Sequence, residues 1–145
     1  MKIVIQRVSQ ASVEVEGKII GQIGKGLLVY LSVGKGDAKN NAEFIAEKIV
    51  NLRVFADEND KMNLSVRDVG GEILLVSNFT LHGDCRKGRR PGFDGAAEPS
   101  FANDLYQHTV GLVRQQGIKV ETGVFGASMK VHSINDGPVT FIIDY

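Results

Sequence analysis

The sequence predicts an α+β fold in one domain spanning residues 1–145: a largely antiparallel sheet, layered or barrel-like, covered by two main helices. Three observations carry this expectation. Helical periodicity occurs in only two stretches, about 38–52 and 100–116, while β-type runs fill both ends of the chain. The elements read β-β-β-α-β-β-α-β-β-β, without the regular βαβ alternation of a Rossmann fold. And 145 residues fit one domain, which at this size buries roughly 68–70% of its unfolded surface.

Each element has a local reason. Lys2 to Val8 reads as a strand, and Ser12 to Glu16 alternates with period two before a turn at Gly17. Lys18 to Ile23 returns as a second arm. Leu27 to Val33 is a continuous apolar run, typical of a strand buried on both faces. After the break at Gly34–Asp37, Ala42, Ile45, Ile49 and Leu52 form one stripe of a helix, with Glu43, Glu47 and Lys48 outside it. Arg53-Val54-Phe55 is a short strand, 57–61 a polar loop, and Glu72 to Phe79 another buried strand. Residues 80–99 read as loop. In the second helix Phe101, Leu105, Thr109, Leu112 and Val113 share a face, and Gly117 suits the position just past its end. Ile118 opens the last β region, which runs to Tyr145.

Composition narrows the function classes. Formal net charge is zero, so nucleic-acid binding through overall charge is excluded and any such contact needs a local patch. The single cysteine, Cys85, allows no intramolecular disulfide, consistent with a reducing cytoplasm. The N-terminal segment turns polar too early for a signal peptide, and no run approaches the ~20 apolar residues of a membrane span. The glycine-rich stretches near 21–26, 34–37 and 70–71 lack the pattern of nucleotide-binding loops and read as structural turns. Cys85 lies near His82 and Asp84, but three residues crowded on one loop rarely form a nucleophile with its oriented base. His108 and His132 are too distant in sequence to complete a metal site with them, so neither a metal nor a cofactor is expected.

Three segments stand out. Arg86, Lys87, Arg89 and Arg90 form the one concentrated cationic patch, and guanidiniums suit phosphate through their forked donors. Ser77-Asn78-Phe79-Thr80 ends a buried strand. It is either an active-site rim, with the Asn78 side chain or the Phe79 and Thr80 amides facing a developing oxyanion, or a strand end whose polar side chains satisfy its backbone. Asn135-Asp136-Gly137-Pro138-Val139-Thr140 interrupts what reads as a hairpin between 129–134 and 141–143. Glycine removes a side chain and proline a donor, leaving a bare, carbonyl-rich corner. On turn statistics alone it is a tight turn with a trans bond, since only ~5–6% of X–Pro bonds are cis.

Taken together these segments resemble the D-aminoacyl-tRNA deacylase family, homodimeric proofreading enzymes of translation. The likeness also runs through Ile5 to Val8, Gly24 to Leu27, Lys61 to Ser65 and Glu121 to Ala127. The family has Gln where this chain has Asn78, one methylene shorter, and a small or aromatic residue where it has His82.

The resemblance implies hydrolysis of the ester joining a D-amino acid, or mischarged glycine, to the 3′ end of tRNA. It implies that Gly137-Pro138 is cis and enters the partner subunit's pocket, excluding L-aminoacyl groups sterically. Ser77, Asn78, Phe79 and Thr80 are then the catalytic segment, with Thr80 either a nucleophile or a bystander to a reaction assisted by the ribose 2′-hydroxyl. Phe125, Gly126, Ala127 and Met129 would line the substrate pocket. Arg7, also assigned there, would brace the Gly-Pro corner. Arg86, Lys87, Arg89 and Arg90 would contact tRNA phosphates. The competing reading is a non-catalytic nucleic-acid-binding module on the same fold. A third reading, a generic small-ester hydrolase, lacks support because no histidine of this chain sits in a recognisable Ser-His-Asp arrangement.

Overall fold

A computed structural model describes all residues, 1–145. Its strands are β1 (Lys2–Val15), β2 (Lys18–Ile23), β3 (Gly26–Ser32), β4 (Phe55–Ala56), β5 (Met62–Leu64), β6 (Glu72–Ser77), β7 (Val120–Thr122) and β8 (Lys130–Asp144). Its helices are α1 (Lys39–Asn51) and α2 (Pro99–Gln115), and a short 3-10 turn spans Phe79–His82. No helix is long and apolar enough to cross a membrane.

The main sheet runs β2-β1-β3-β6-β7, with β8 along the other edge of β1. β1 pairs antiparallel with β2, β3 and β8, whereas β3–β6 and β6–β7 are parallel. The sheet curls until β2 nears β7: a Cβ on Gly21 would lie 2.7 Å from the Thr122 carbonyl oxygen. That close approach is what glycine permits here.

The period-two rule divides the core. Leu27, Val29, Leu31, Ile73 and Leu75 pack with α1 and α2 in the larger cluster. Their alternates Leu28, Leu74 and Val76 join Val8, Ala11, Val13 and Ile23 inside the curl. Each such aliphatic side chain contributes about 1.5–3 kcal/mol of burial. Strands buried on both faces are what the unbroken apolar runs predict.

Several boundaries differ from the sequence reading. The two expected strands 2–8 and 12–16 are one, because β8 pairs along almost the whole of β1 and carries it through a bulge. The expected strand 72–79 stops at Ser77, where Asn78 caps the 3-10 turn. On α2 the buried face is Leu105, Tyr106, Thr109, Val110 and Val113, while Phe101 is exposed, because the helix is rotated by about one position. Gly117 does sit just past α2 with φ +82°, the left-handed conformation glycine favours.

The expected hairpin is absent. Gln6 pairs with Thr140 and Val8 with Asn135, so only Arg7 on β1 faces Asp136, Gly137, Pro138 and Val139 on β8. Both flanks of the Gly-Pro pair therefore belong to one strand running in one direction. The pair sits on a loop-out, not at a reversal.

Candidate functional site

The open end of the inner core is a cavity of about 550 Å³. Tyr30, Val76, Met129 and Val131 form its floor, continuous with the small core cluster. Ser77, Asn78 and Phe79 form one rim and Phe125, Gly126 and Ala127 the other. Of the residues expected at the site, seven thus meet around one cavity. Thr80, Gly137, Pro138 and Arg7 are not among its lining residues. Apolar walls with a few polar groups at the rim are the usual form of a small-ligand site.

The rim has a local cause. The Asn78 amide donates to the Leu31 carbonyl at 2.8 Å, a last bond to β3, after which the chain turns. Asn78 Oδ1 then accepts from the Thr80 amide at 3.3 Å and from the Thr80 hydroxyl at 2.6 Å. The turn directs Phe79 outward, with its ring edge-on to Phe93 at 5.0 Å. The Thr80 proton is thus held by an amide oxygen, which is no base. The nearest histidine in sequence, His82, is bound through Nδ1 to the Ser32 hydroxyl at 2.6 Å. Burial pushes the His82 pKa down.

The opposite wall depends on two glycine-enabled contacts. Met129 Sδ rests where a side chain on Gly123 would stand, and Gly126 has φ +76°. Phe125 is tilted against the buried Tyr106 at 5.9 Å. The Tyr106 hydroxyl in turn donates to the Leu75 carbonyl at 2.7 Å, tying α2 to the strand that delivers the rim.

The loop-out of β8 is closed by its own side chains. Asn135 Oδ1 accepts from the Val139 amide at 2.8 Å, and Asn135 Nδ2 donates to Thr140 Oγ1 at 3.0 Å. Gln6 also reaches Thr140 Oγ1, at 3.2 Å. The Arg7 guanidinium donates to the Asp136 carbonyl at 2.9 Å and to the Val54 carbonyl at 2.7 Å. Arg7 thus ties the Asp136 carbonyl to that of Val54 and lies outside the cavity. Val139 is buried and pins the loop, while Gly137 and Pro138 are exposed and joined by a cis bond.

Asp84 and Gly92 exchange two backbone bonds, at 2.7 and 2.9 Å, so the basic segment is a closed loop. Arg86 forks onto the Asp84 carboxylate at 2.9 and 2.7 Å, which holds that carboxyl well below the usual range. Lys87, Arg89 and Arg90 form no ion pair within the chain and are exposed. Phe93, just beyond the loop, packs on Phe79, so the basic loop stands beside the cavity rim.

The chain matches known proteins over nearly its full length. The family described as D-Tyr-tRNA(Tyr) deacylase matches residues 4–144. The chain belongs to this family. The D-aminoacyl-tRNA deacylase of Koribacter versatilis (strain Ellin345) is 59% identical over 144 residues, covering 99% of this chain and 97% of that protein. That of Thermosipho africanus (strain TCF52B) is 57% identical, with the same coverage. A solved structure titled "c-Myc DNA Unwinding Element Binding Protein" superposes with a TM-score of 0.94 at 41% identity, covering 100% of this chain and 99% of that one. A probable eukaryotic D-amino acid tRNA deacylase, 18% identical over 99% of this chain and 98% of that one, shares the fold with a TM-score of 0.84. Membership in the deacylase family makes the chain an enzyme.

Sequence reasoning missed Tyr30, Val76, Ala97, Pro99, Ala102 and Val131 as lining residues. Tyr30 carried one signal, a phenol hydroxyl in the middle of an apolar run; burial raises its pKa. The residues at the start of α2 carried none, because their place depends on where the helix docks.

Proposed function

We propose that the cavity holds the aminoacylated 3′ end of a tRNA and that the chain hydrolyses its ester when the amino acid is D or is glycine. Deacylation of D-aminoacyl-tRNA is the activity of the family. The finer reading rests above all on the meeting of Ser77–Phe79 with Phe125–Met129 around one apolar cavity. Aromatic side chains at the rim suit stacking on an unpaired base.

In this reading a water oxygen attacks the ester carbonyl, with the terminal ribose 2′-hydroxyl assisting its deprotonation. Charge develops on the carbonyl oxygen, where the Phe79 amide stabilises it, since the Asn78 and Thr80 amides are bonded to the Leu31 carbonyl and to Asn78 Oδ1. The bond to the ribose oxygen then breaks, that oxygen takes a proton, and free amino acid and tRNA leave. Thr80 stays outside the reaction, its hydroxyl committed to Asn78. The Asn78 side chain thereby shapes the turn.

Selectivity comes from Gly137 and Pro138. They do not line the cavity of their own chain, so a role as a steric filter requires a second copy. The outer edge of β8 has no partner strand in the chain and carries exposed Ile134, Phe141 and Ile142, features of an edge that pairs elsewhere. In a homodimer built there, the corner of one subunit enters the partner's cavity and its carbonyls occupy the space of an L side chain. A D side chain points outward, so many are accepted. Lys87, Arg89 and Arg90 hold tRNA phosphates beside the rim. Such a substrate assigns the protein to the cytoplasm.

The test is hydrolysis of D-tyrosyl- and L-tyrosyl-tRNA by the purified protein. Cleavage of the D form with the L form spared is expected. Equal rates overturn the filter, and tRNA binding without turnover supports the second reading, a nucleic-acid-binding module. That reading draws on the basic loop and on the 41% identity to the c-Myc DNA Unwinding Element Binding Protein. Sedimentation of a stable, fully selective monomer would refute the dimer.

A further inference from the structure

A second cavity, about 850 Å³, lies on the other side of the same 3-10 turn. Its wall begins at His82 and Gly83, where the turn ends; the apolar cavity stops at Phe79, where it starts. Those two residues are about 6 Å apart along a 3-10 axis. The two cavities are chemically opposite. The second has one hydrophobic residue among eleven and gathers Lys2, Arg86, Lys87 and Arg90.

Its charges are unequal. The four cations face the carboxylates of Asp84 and Asp94, and Asp84 is taken by Arg86. Lys2, from the first residue of β1, reaches Asp144 only at 3.4 Å. Lys87 and Arg90 have no ion pair, and Arg89 is not among the residues that line the groove. Positive charge thus converges from two distant parts of the chain, which the linear cluster 86–90 does not reveal.

We propose that this groove holds the phosphates of the last unpaired nucleotides of the substrate, with Lys2, Lys87 and Arg90 as the contacting cations. The proposal rests on the deacylase reading and divides the substrate at the 3-10 turn. The ester and terminal base lie on the Phe79 side, and the single-stranded phosphate backbone lies on the His82 side. Phosphate neutralisation releases counterions, with a slope of about 0.7 in log affinity against log salt for each single-strand contact.

The experiment compares two substrates of the wild-type protein, D-tyrosyl-tRNA and D-tyrosyl-adenosine, which has no phosphate. KM is followed from about 50 to 200 mM salt, with Lys2→Gln and Arg90→Gln alongside. KM for the tRNA should rise steeply with salt in the wild type and KM for the adenosine ester should stay flat. Each substitution should flatten the tRNA slope by about 0.7 and raise KM about 5-fold near 0.1 M salt, with kcat unchanged. Slopes equal to wild type in both variants, at unchanged melting temperature, overturn the groove. A steep slope for the adenosine ester overturns it as well. If the wild type cleaves neither substrate, the deacylase reading itself fails and takes this proposal with it.

Discussion

Replacing Arg7 by glutamine should both destabilise the protein and loosen the corner that Arg7 holds. The guanidinium, 14% exposed, makes two bonds to main-chain carbonyls, at 2.9 Å to Asp136 and 2.7 Å to Val54. Hydrogen bonds from a charged donor are worth about 1.5–3 kcal/mol each. The Asp136 bond is exposed and lies at the low end; the Val54 carbonyl belongs to a buried residue and would be left without its partner. A loss of about 3 kcal/mol follows. For a chain near this size each kcal/mol lowers the melting temperature by about 2–4 °C, so a fall of roughly 6–12 °C is expected. Arg7→Lys keeps the charge but not the fork and should fall about half as far. Thermal unfolding followed by circular dichroism reads the stability. Hydrolysis of D- and L-tyrosyl-tRNA reads the corner, with the ratio of D to L rates falling. Melting of Arg7→Gln within about 2 °C of wild type, with the ratio unchanged, would refute the reasoning.

Three further outcomes are expected. Thr80→Ala should keep substantial deacylation, since its hydroxyl faces only the Asn78 amide oxygen; complete loss with tRNA binding intact would make Thr80 a nucleophile. Tyr106→Phe removes a 2.7 Å bond to a buried carbonyl and should lower stability by about 1–2 kcal/mol, read by urea unfolding at constant m-value. Burial lowers the His82 pKa, so between that lowered value and about 6.5 the unfolded chain binds more protons. Stability should therefore rise with pH through that window. His82→Gln should flatten that part of the profile, and an unchanged pH profile of melting temperature would contradict it.

The elements legible in the sequence were those whose side-chain pattern reports burial directly. The runs at Leu27–Leu31 and Ile73–Val76 are strands buried on both faces, and the stripe of Ala42, Ile45 and Ile49 faces the core. Ser77–Phe79 and Phe125–Met129 stand out in the sequence because they resemble a family motif, and the fold brings them around one cavity. Glycine and proline signal any departure from a ladder, so by themselves they cannot distinguish the loop-out at 136–139 from a hairpin turn. Only the pairing of both flanks with β1 reveals that the strand continues. Lys2 was invisible as a partner of the basic loop, since eighty residues of the chain separate contributions that meet only after the sheet curls.

The corner between Asn135 and Thr140 presents main chain to its surroundings, and its side chains are spent on closing the loop. A surface of this kind does not drift with the substitutions that reshape ordinary pockets. Its form is set by how many residues stand opposite Arg7, so the unit of change is an insertion or deletion. A chain can therefore diverge widely at the cavity walls while this edge keeps one shape. Reshaping this edge means altering the length of the loop.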